Sequence, residues 1–399
     1  MGIAARLTLL AAGAAAFLLG MLWLDHGRVT TLPVPTGPFA VGRTQYLWTD
    51  AGHPDPRAPR PGTPRELLAW VWYPAAAPRE SVPPAAYLPA PWRTAVERQR
   101  GLLLTQFLTR DLARVRVHSI SDAVVSPQHR TYPVILMRAG LAALTTNYTA
   151  LAEDLASQGY VVVGFDAPYR TTLVVLPDGT VLARTPANDA DRVGGAAQEQ
   201  LATELVRAWS ADMSFALDEL ERLNQADAAG RFFGRLDLHR VGAFGHSLGG
   251  ASVLQICHDD PRCRAGVDVD GAPLGSVVRD GIRQPFLFLL SDHRDEPEAE
   301  TRPVEAKIRS IYERLPSDRR WMFMIQGGGH YLFSDDGAAL KSPPLMRVLR
   351  MLGIVRLDGR RQLALTSRCL SAFFDVYLEG ASRSELQRVR RASELEPIP

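Results

Sequence analysis

The chain has 399 residues, of which 46% are hydrophobic and 22% charged, so it can form one large globular domain or two small ones. Its 45 Lys and Arg residues nearly balance its 43 Asp and Glu residues, which gives a formal net charge of +2. This balance, and the lack of a basic run with interleaved aromatic residues, argue against a nucleic-acid partner.

Residues 7–24 form an uncharged, mostly apolar stretch that is flanked by Arg6 and Asp25. About 18 such residues are close to the minimum that spans a bilayer as a helix. Arg6 favours a cytoplasmic amino terminus under the positive-inside rule, with the rest of the chain periplasmic or extracellular. The alternative is a secreted protein whose signal peptide is cleaved after the alanines at 14–16, but that site leaves a very short hydrophobic core. We therefore expect residues 1–24 to be an uncleaved membrane anchor.

Residues 25–66 are rich in proline, which predicts a linker followed by an irregular stretch. The apolar run at 67–73 predicts the first strand of the main domain, which we place at 67–399. The pattern weakens at 75–130, a possible lid or insert. Within it, the apolar spacing predicts an amphipathic helix from 102 towards 117. Packing of this helix on the core is the favoured interpretation, and a lid that touches lipid is the alternative.

Beyond residue 130, short apolar runs alternate with segments of helical periodicity. The apolar runs have the length and flanks of strands that are buried on both faces. We expect strands at 133–137, 160–165, 240–244, 265–270, 285–290 and 321–325, and helices at 148–158 and 198–223. This alternation predicts an α/β fold with a mostly parallel, doubly wound sheet and helices on both faces. Counted from 67–73, the strand at 240–244 is expected to be the fourth parallel strand.

The segment Gly245-His246-Ser247-Leu248-Gly249 follows the predicted strand at 240–244 and precedes a segment that can continue as a helix. It matches the G-x-S-x-G pattern of the nucleophile elbow of serine hydrolases. The elbow is a sharp turn that lifts the serine hydroxyl above the sheet, and side chains at the two glycine positions would clash there. The pattern alone has an appreciable chance background, which the strand before it and the helix after it reduce.

Residues that can perform acid–base chemistry follow the later strands, where ligands collect in such sheets. Ser247 follows one strand, Asp270 and Asp292 follow the next two, and His330 lies in a glycine-rich loop after the last. This order is the one expected of an α/β-hydrolase. A serine hydroxyl becomes a nucleophile when an imidazole takes its proton, and the imidazole needs a carboxylate on its other nitrogen. We predict Ser247 as nucleophile and His330 as base, and both aspartates remain candidates for the acid.

An oxyanion formed at Ser247 needs two hydrogen-bond donors aimed at it. The backbone N–H of Leu248 is one candidate, and that of Leu141, in the loop after the strand at 133–137, is the other. Four further polar residues near these motifs are expected to have packing, structural or surface roles: His246, His258, His293 and Asp268.

The three cysteines are Cys257, Cys263 and Cys369. In an oxidising compartment Cys257 and Cys263 can pair and close a small loop, and two unpaired buried thiols are the alternative. Because the count is odd, at least one thiol is free or bonds another chain. The spacing of Cys and His residues indicates no zinc site.

Six segments together resemble the platelet-activating-factor acetylhydrolase branch (isoform II, plasma-like) of the α/β-hydrolases, including its bacterial members. The similarity covers roughly residues 67–380. In chain order the segments are AGL (139–141), NYTALAEDLASQGYVVVGFDAPY (147–169), GHSLGG (245–250), VDVDG (267–271), PFLFLLSDH (285–293) and GGGHYLFSD (327–335).

The resemblance implies an α/β-hydrolase fold with the acid after the strand that follows the elbow, which selects Asp270 over Asp292. It also implies oxyanion donors at Leu141 and Leu248 and a catalytic histidine at His330. The family often has His-Gly or Pro-Gly before the leucine of the oxyanion loop, whereas Arg138 and Ala139 precede Gly140 in this chain. The backbone donor survives that change, and Arg138 either alters substrate choice or forms a surface salt bridge.

These observations predict an exported serine esterase that works through an acyl-enzyme and needs no metal or cofactor. The resemblance implies short-acyl or phospholipid-type esters as substrates. One alternative is a lipid or polyester esterase with a broader cleft. Another is a catalytically silent hydrolase fold that serves as an interaction module of the cell envelope.

Overall fold

The computed structural model describes residues 2–78, 80, 82–101 and 104–398. The strands are, in chain order, β1 (Thr30–Thr31), β2 (Ala40–Pro54), β3 (Pro64–Ala75), β4 (Val115–Arg116), β5 (Ile120–Ser121), β6 (Tyr132–Arg138), β7 (Val161–Asp166), β8 (Leu173–Val175), β9 (Val181–Ala183), β10 (Leu236–His246), β11 (Cys263–Val269), β12 (Phe286–Leu290), β13 (Arg320–Ile325) and β14 (Leu395–Pro397). The α-helices are α1 (Ile3–His26), α2 (Ala90–Arg100), α3 (Thr149–Ser157), α4 (Gly195–Gln225), α5 (Leu248–Asp259), α6 (Val277–Asp280), α7 (Glu298–Arg314), α8 (Pro343–Met351), α9 (Gly359–Tyr377) and α10 (Ser384–Val389). Every strand and helix predicted beyond residue 130 is present, with ends shifted by a few residues.

In the part of the chain that the structure describes, ten strands form one mixed sheet in the order β14-β13-β12-β11-β10-β6-β7-β3-β2-β5. The strands from β13 to β7 are parallel to their neighbours. At the two ends of this parallel block, β14 and β3 pair with it in the antiparallel sense. The residues that follow β10, β11, β12 and β13 therefore meet at one edge of the sheet, where they can form a site.

Side chains of the central strands alternate between two hydrophobic cores, one on each face of the sheet. On β3, Trp70 and Trp72 lie in the core shared with α2, α3 and α9, whereas Ala69, Val71 and Tyr73 lie in the core shared with α4, α5 and α7. This is the period of two expected of a strand. Helices therefore cover both faces, as the alternating pattern predicts.

The predictions for the amino-terminal part of the sheet are wrong. The stretch 25–66 contains β2, which pairs with β3, so the sheet begins at Ala40 rather than at residue 67. Its prolines lie before β2, at the ends of the two strands and in the turn between them, where they do not interrupt a strand. β2 and β3 form an antiparallel hairpin, and this hairpin joins the parallel block through β3, which runs against β7. The elbow strand β10 is consequently the third strand of the parallel block in chain order, not the fourth.

The segment 102–117 is not one amphipathic helix. Residues 102 and 103 lie outside the described residues, and the chain after them forms a π-helical turn (Leu104–Leu108) and a 3-10 turn (Leu112–Arg114) before β4. The Asp111 carboxylate accepts a bond from the Ala113 N–H, which starts a new turn instead of continuing a helix. Several residues of the possible insert at 75–130 are buried in the core shared with α3 and α9: Tyr87, Leu88, Trp92, Val96, Val115 and Val117.

Helix α1 is apolar and exposed along most of its length. Residues Ala5–His26 are long and apolar enough to cross a membrane, and a signal sequence has the same properties. The end of this helix is fixed to the rest of the protein. The Asp25 carboxylate pairs with Arg110 at 3.2 Å and accepts a bond from the Ser342 hydroxyl at 3.0 Å. Asp25, Arg110 and Ser342 are all buried, so this contact is shielded from water.

Cys257 and Cys263 are joined by a disulfide, which links the end of α5 to the start of β11. Cys369, the remaining cysteine, is a buried free thiol on α9. Of the two alternatives from the sequence, a disulfide between Cys257 and Cys263 or two unpaired thiols, the structure contains the disulfide.

Candidate active site

The candidate nucleophile lies on a strained turn. β10 ends at His246, α5 begins at Leu248, and Ser247 between them has φ 58° and ψ −126°. A residue with a side chain rarely adopts such angles, which cost about 1–3 kcal/mol. The flanking glycines permit the turn, because a Cβ at Gly245 would collide with the backbone of Gly249, and a Cβ at Gly249 would collide with the backbone carbonyl of Arg138. This strand, turn and helix form the elbow that the sequence predicts.

The candidate acid and base are hydrogen-bonded to each other. Asp270 follows β11 with φ 57°, and His330 begins a short 3-10 helix after β13. His330 Nδ1 lies 2.7 Å from Asp270 Oδ2. The Asp270 side chain is only 1% exposed, whereas the His330 side chain is 30% exposed. The carboxylate is therefore buried beneath an imidazole that remains accessible to a substrate.

Ser291 also binds the Asp270 carboxylate. Its backbone N–H donates to Oδ1 at 2.7 Å and its hydroxyl donates to Oδ2 at 2.6 Å. Burial alone would raise the pKa of Asp270, but hydrogen bonds from His293 and His330 and their charges lower this pKa well below its usual range. Asp270 is therefore a carboxylate anion in a fixed orientation.

Asp292, the other candidate acid, has different partners. Its carboxylate binds Arg294 through two oxygens, at 2.8 Å and 2.7 Å, and accepts the Gly327 N–H at 2.8 Å. The bond to Arg294 holds the pKa of Asp292 well below its usual range. The structure therefore brings Asp270 to His330, whereas the Asp292 carboxylate binds the glycine-rich loop that precedes His330.

His246 is a packing residue, as predicted. Its ring packs against that of His330 at a tilt of 39°, with 4.5 Å between the centroids, and its Nδ1 lies 2.7 Å from the Tyr148 hydroxyl. Burial, together with the charge of His330, lowers the pKa of His246 to about 3. The uncharged His246 ring thus forms an inner wall for the His330 ring.

The candidate oxyanion donors lie on either side of the serine. Leu248 is the first residue of α5, so its N–H has no acceptor within the helix. On the opposite side, the backbone at Gly140 approaches closely enough that a Cβ there would lie 3.3 Å from the Ser247 Cβ. The Tyr148 hydroxyl accepts the Gly140 N–H at 3.3 Å and so supports this loop. Leu141 is the next residue, and the roles of Leu248 and Leu141 stay predictions.

Arg138 is not on the surface, so its interpretation as a surface salt bridge is wrong, and an effect on substrate choice stays a prediction. It is buried, its guanidinium lies 3.8 Å from the centre of the Trp209 ring, and it donates to the Phe165 carbonyl at 2.9 Å. Burial lowers the pKa of Arg138 to about 10. As the last residue of β6, its side chain points to the sheet face covered by α4.

The structure assigns His293 to the candidate site, although its position in the sequence suggests a surface or structural residue. Its Nε2 lies 2.9 Å from Asp270 Oδ1, and its Nδ1 lies 2.8 Å from Glu296 Oε1. The sequence contained one signal for this role: His293 lies three residues after the end of β12, where a side chain can reach the edge of the sheet that carries the site. Asp268 and His258 have the structural and surface positions expected from the sequence. Asp268 is buried and accepts the Gly271 N–H, and His258 pairs with Asp259.

The chain is similar to known esterases in both structure and sequence. The structure of ferulic acid esterase from Streptomyces cinnamoneus matches with a TM-score of 0.73 at 25% identity, covering 93% of this chain and 99% of that one. The platelet-activating factor acetylhydrolase of Cavia porcellus is 26% identical over 262 residues, which are 62% of this chain and 58% of that protein. The probable 1-alkyl-2-acetylglycerophosphocholine esterase of Arthroderma benhamiae is 26% identical over 379 residues, or 89% of this chain and 90% of that protein.

The animal acetylhydrolases are matched over only part of their length, which is 58%, 48% and 57% in the Cavia porcellus, Canis lupus familiaris and Bos taurus proteins. The family model of platelet-activating factor acetylhydrolase, isoform II, matches residues 28–170 and 212–383 of this chain. These two ranges make up well over half of the sequence and include all of the candidate site residues. The chain therefore belongs to the platelet-activating factor acetylhydrolase, isoform II, family.

Proposed function

We propose that this protein is a serine hydrolase that cleaves carboxylic esters, with Ser247 as nucleophile, His330 as base and Asp270 as acid. The observation that carries the proposal is the 2.7 Å contact between His330 and a buried carboxylate, next to a serine on a strained strand-to-helix turn. The family and the similarity to an esterase structure support it.

In the proposed reaction, His330 Nε2 takes the proton of Ser247 as the serine oxygen attacks the ester carbonyl. Asp270 accepts the Nδ1–H of His330, which keeps Nε2 free to act as a base and stabilises the imidazolium that forms. The N–H groups of Leu248 and Leu141 bind the tetrahedral oxyanion, a role worth about 3–4 kcal/mol per donor in other hydrolases. His330 then protonates the leaving alcohol, and it activates the water that releases the acid from Ser247.

We propose esters with short acyl groups, of the kind carried by acetylated or oxidised phospholipids, as the substrate class. The similarity to a platelet-activating factor acetylhydrolase and to a probable 1-alkyl-2-acetylglycerophosphocholine esterase supports this choice. A broader carboxylic esterase is the second candidate, and it is favoured by the similarity to a ferulic acid esterase over nearly the whole chain.

For the location, we propose that α1 anchors the protein in a membrane, with the catalytic domain periplasmic or extracellular. Its length and apolar composition support this role, and a secreted protein with a cleaved signal is the alternative. Washing of membranes with high salt and with carbonate separates the two. An anchored chain stays in the pellet with the mass of the full sequence, whereas a cleaved chain is soluble and shorter.

Labelling with a fluorophosphonate probe tests the enzymatic function. We expect the wild type to label and Ser247→Ala to lose both labelling and hydrolysis of p-nitrophenyl acetate. Ser252→Ala, on the same helix with its hydroxyl bonded to the Leu248 carbonyl, is the matched control and should label normally. A folded wild type that does not label would contradict the hydrolase proposal and favour the silent interaction module.

A series of p-nitrophenyl esters from acetate to laurate, together with an acetylated glycerophospholipid, tests the substrate class. A steep fall in kcat/KM beyond the shortest acyl groups supports the acetylhydrolase-type substrate. Comparable kcat/KM values along the whole series support the broader esterase.

A further inference from the structure

Asp270 is held by two histidines rather than one. His330 binds its Oδ2 at 2.7 Å, and His293 binds its Oδ1 at 2.9 Å from the opposite side. We propose that His293 is a positioning residue of the candidate triad, held as a cation between Asp270 and Glu296, and that its charge sets the pH below which activity is lost. This inference rests on the proposed function of Ser247, His330 and Asp270.

The charge of His293 follows from its partners. Nε2 faces a carboxylate oxygen of Asp270, and Nδ1 faces a carboxylate oxygen of Glu296 at 2.8 Å. Ionised carboxylates only accept hydrogen bonds, and a neutral imidazole has a single N–H to donate. Both contacts are hydrogen bonds only if both ring nitrogens carry a proton. The bond to Asp270, against the opposing effect of partial burial, and the bond to Glu296 raise the pKa of His293 to about 9.

The other acidic residues near His293 have basic partners of their own. Asp292 is neutralised by Arg294, and Asp295 pairs with Arg356, so neither carboxylate needs His293 as a partner. The groups that bear directly on the His293 charge are therefore the two carboxylates that it binds and the second histidine on the shared carboxylate: Asp270, Glu296 and His330. His246, whose ring packs against that of His330, is uncharged near neutral pH because burial lowers its pKa to about 3.

The bond to His293 affects catalysis in two ways. It completes the set of donors on Asp270 with Ser291, so the carboxylate cannot rotate away from His330. It also places a positive charge on the far oxygen of the same carboxylate. That charge repels a second positive charge on the His330 ring, which binds the other oxygen of the same carboxylate.

The variant His293→Gln tests this role, because the Gln amide can still donate to Asp270 but carries no charge. We expect the acid-side midpoint of the kcat/KM profile to rise by roughly 0.5–1 pH unit, since the lost cation was about a third exposed and partly screened. KM should change little, and kcat at the optimum should fall less than about tenfold. His258→Gln is the matched control, because His258 also pairs with acidic residues but lies away from the site, and its profile should match that of the wild type.

A purely structural role gives a different result. If His293 only held the loop, His293→Gln would lower kcat and thermal stability while the acid-side midpoint stayed within about 0.2 pH unit, and the proposal would be wrong. The rate of fluorophosphonate labelling against pH provides the same midpoint without a substrate. A wild type that fails to label at any pH contradicts the proposed function itself, which separates the two failures.

Nuclear magnetic resonance provides a test that leaves His293 in place. In the full-length Ser247→Ala protein in detergent, labelled with [15N]histidine, we expect the His293 ring to show two protonated nitrogens until the pH approaches about 9. Glu296→Gln should lower the pH at which this ring loses a proton, because one of its two anionic partners is gone. A His293 ring that is neutral at pH 7 in the Ser247→Ala protein would overturn the proposal.

Discussion

Replacing Asp270 by Asn removes the charge of the candidate acid and exchanges one oxygen for an NH2 group. Four hydrogen bonds now reach the carboxylate: Oδ2 accepts from His330 Nδ1 and the Ser291 hydroxyl, and Oδ1 accepts from the Ser291 N–H and His293 Nε2. Because all four partners donate, the NH2 group of Asn must face two donors in either orientation. The Ser291 N–H cannot become an acceptor, so we expect the NH2 group on the Oδ2 side, facing His330.

In that orientation His330 adopts the other tautomer, with the proton on Nε2. This nitrogen then cannot take the proton of Ser247, and no carboxylate stabilises an imidazolium. The equivalent change in another triad hydrolase lowers kcat by about 10⁴, which corresponds to roughly 5 kcal/mol of transition-state stabilisation. We expect a loss of the same order here, with little change in KM.

The assay is hydrolysis of p-nitrophenyl acetate, with kcat and KM measured for both aspartate variants and folding checked by thermal unfolding. Asp292→Asn is the matched control, because its carboxylate binds Arg294 and the Gly327 N–H and should leave most of the activity. A folded Asp270→Asn protein that keeps more than about a tenth of the wild-type kcat would refute the assignment. So would a loss in Asp292→Asn as large as that in Asp270→Asn.

The other predictions concern the nucleophile, the turn between β10 and α5, and the carboxyl-terminal end of α1. Ser247→Ala should lower ester hydrolysis to the uncatalysed background, and turnover above that background would exclude it as nucleophile. Gly245→Ala should lower the free energy of unfolding by about 3 kcal/mol or more, measured with urea, because its Cβ collides with the Gly249 backbone. Arg110→Ala should lower the free energy of unfolding by about 3–5 kcal/mol, because the buried Asp25 carboxylate loses its positively charged partner and keeps only the Ser342 hydroxyl. An unchanged thermal transition in Arg110→Ala would mean that the end of α1 is not held by this pair.

Local patterns were sufficient for most of the fold. The six strands of the parallel block are short apolar runs between turn-forming residues, and α4 carries its apolar residues on one stripe, so each of these elements is specified within its own segment. The elbow is equally local, because Gly245 and Gly249 are needed by the turn itself. Local patterns failed for β2, a long strand bordered by prolines, and for the antiparallel direction of β3, which depends on its hairpin with β2.

The candidate site divides in the same way. The sequence by itself indicated Ser247 as the candidate nucleophile, through the elbow pattern, and His330 as the candidate base, through its glycine-rich loop after the last parallel strand. The residues left the acid open between Asp270 and Asp292, because both follow neighbouring strands at the same edge of the sheet, and only the family resemblance favoured Asp270. The contact between Asp270 and His330 is a matter of side-chain direction, which strand order does not specify.

The contacts of Arg138 and His293 became visible only in the three-dimensional packing. Arg138 was interpreted as forming a surface salt bridge or altering substrate choice, and the alternation along β6 buries it against Trp209. His293 was interpreted as a surface or structural residue, and the chain after β12 turns it back onto Asp270. Both outcomes depend on the partner that a neighbouring element supplies, and such a partner is distant in sequence. Sequence therefore determines which residues reach the edge of the sheet, and tertiary structure determines which of them bond to one another.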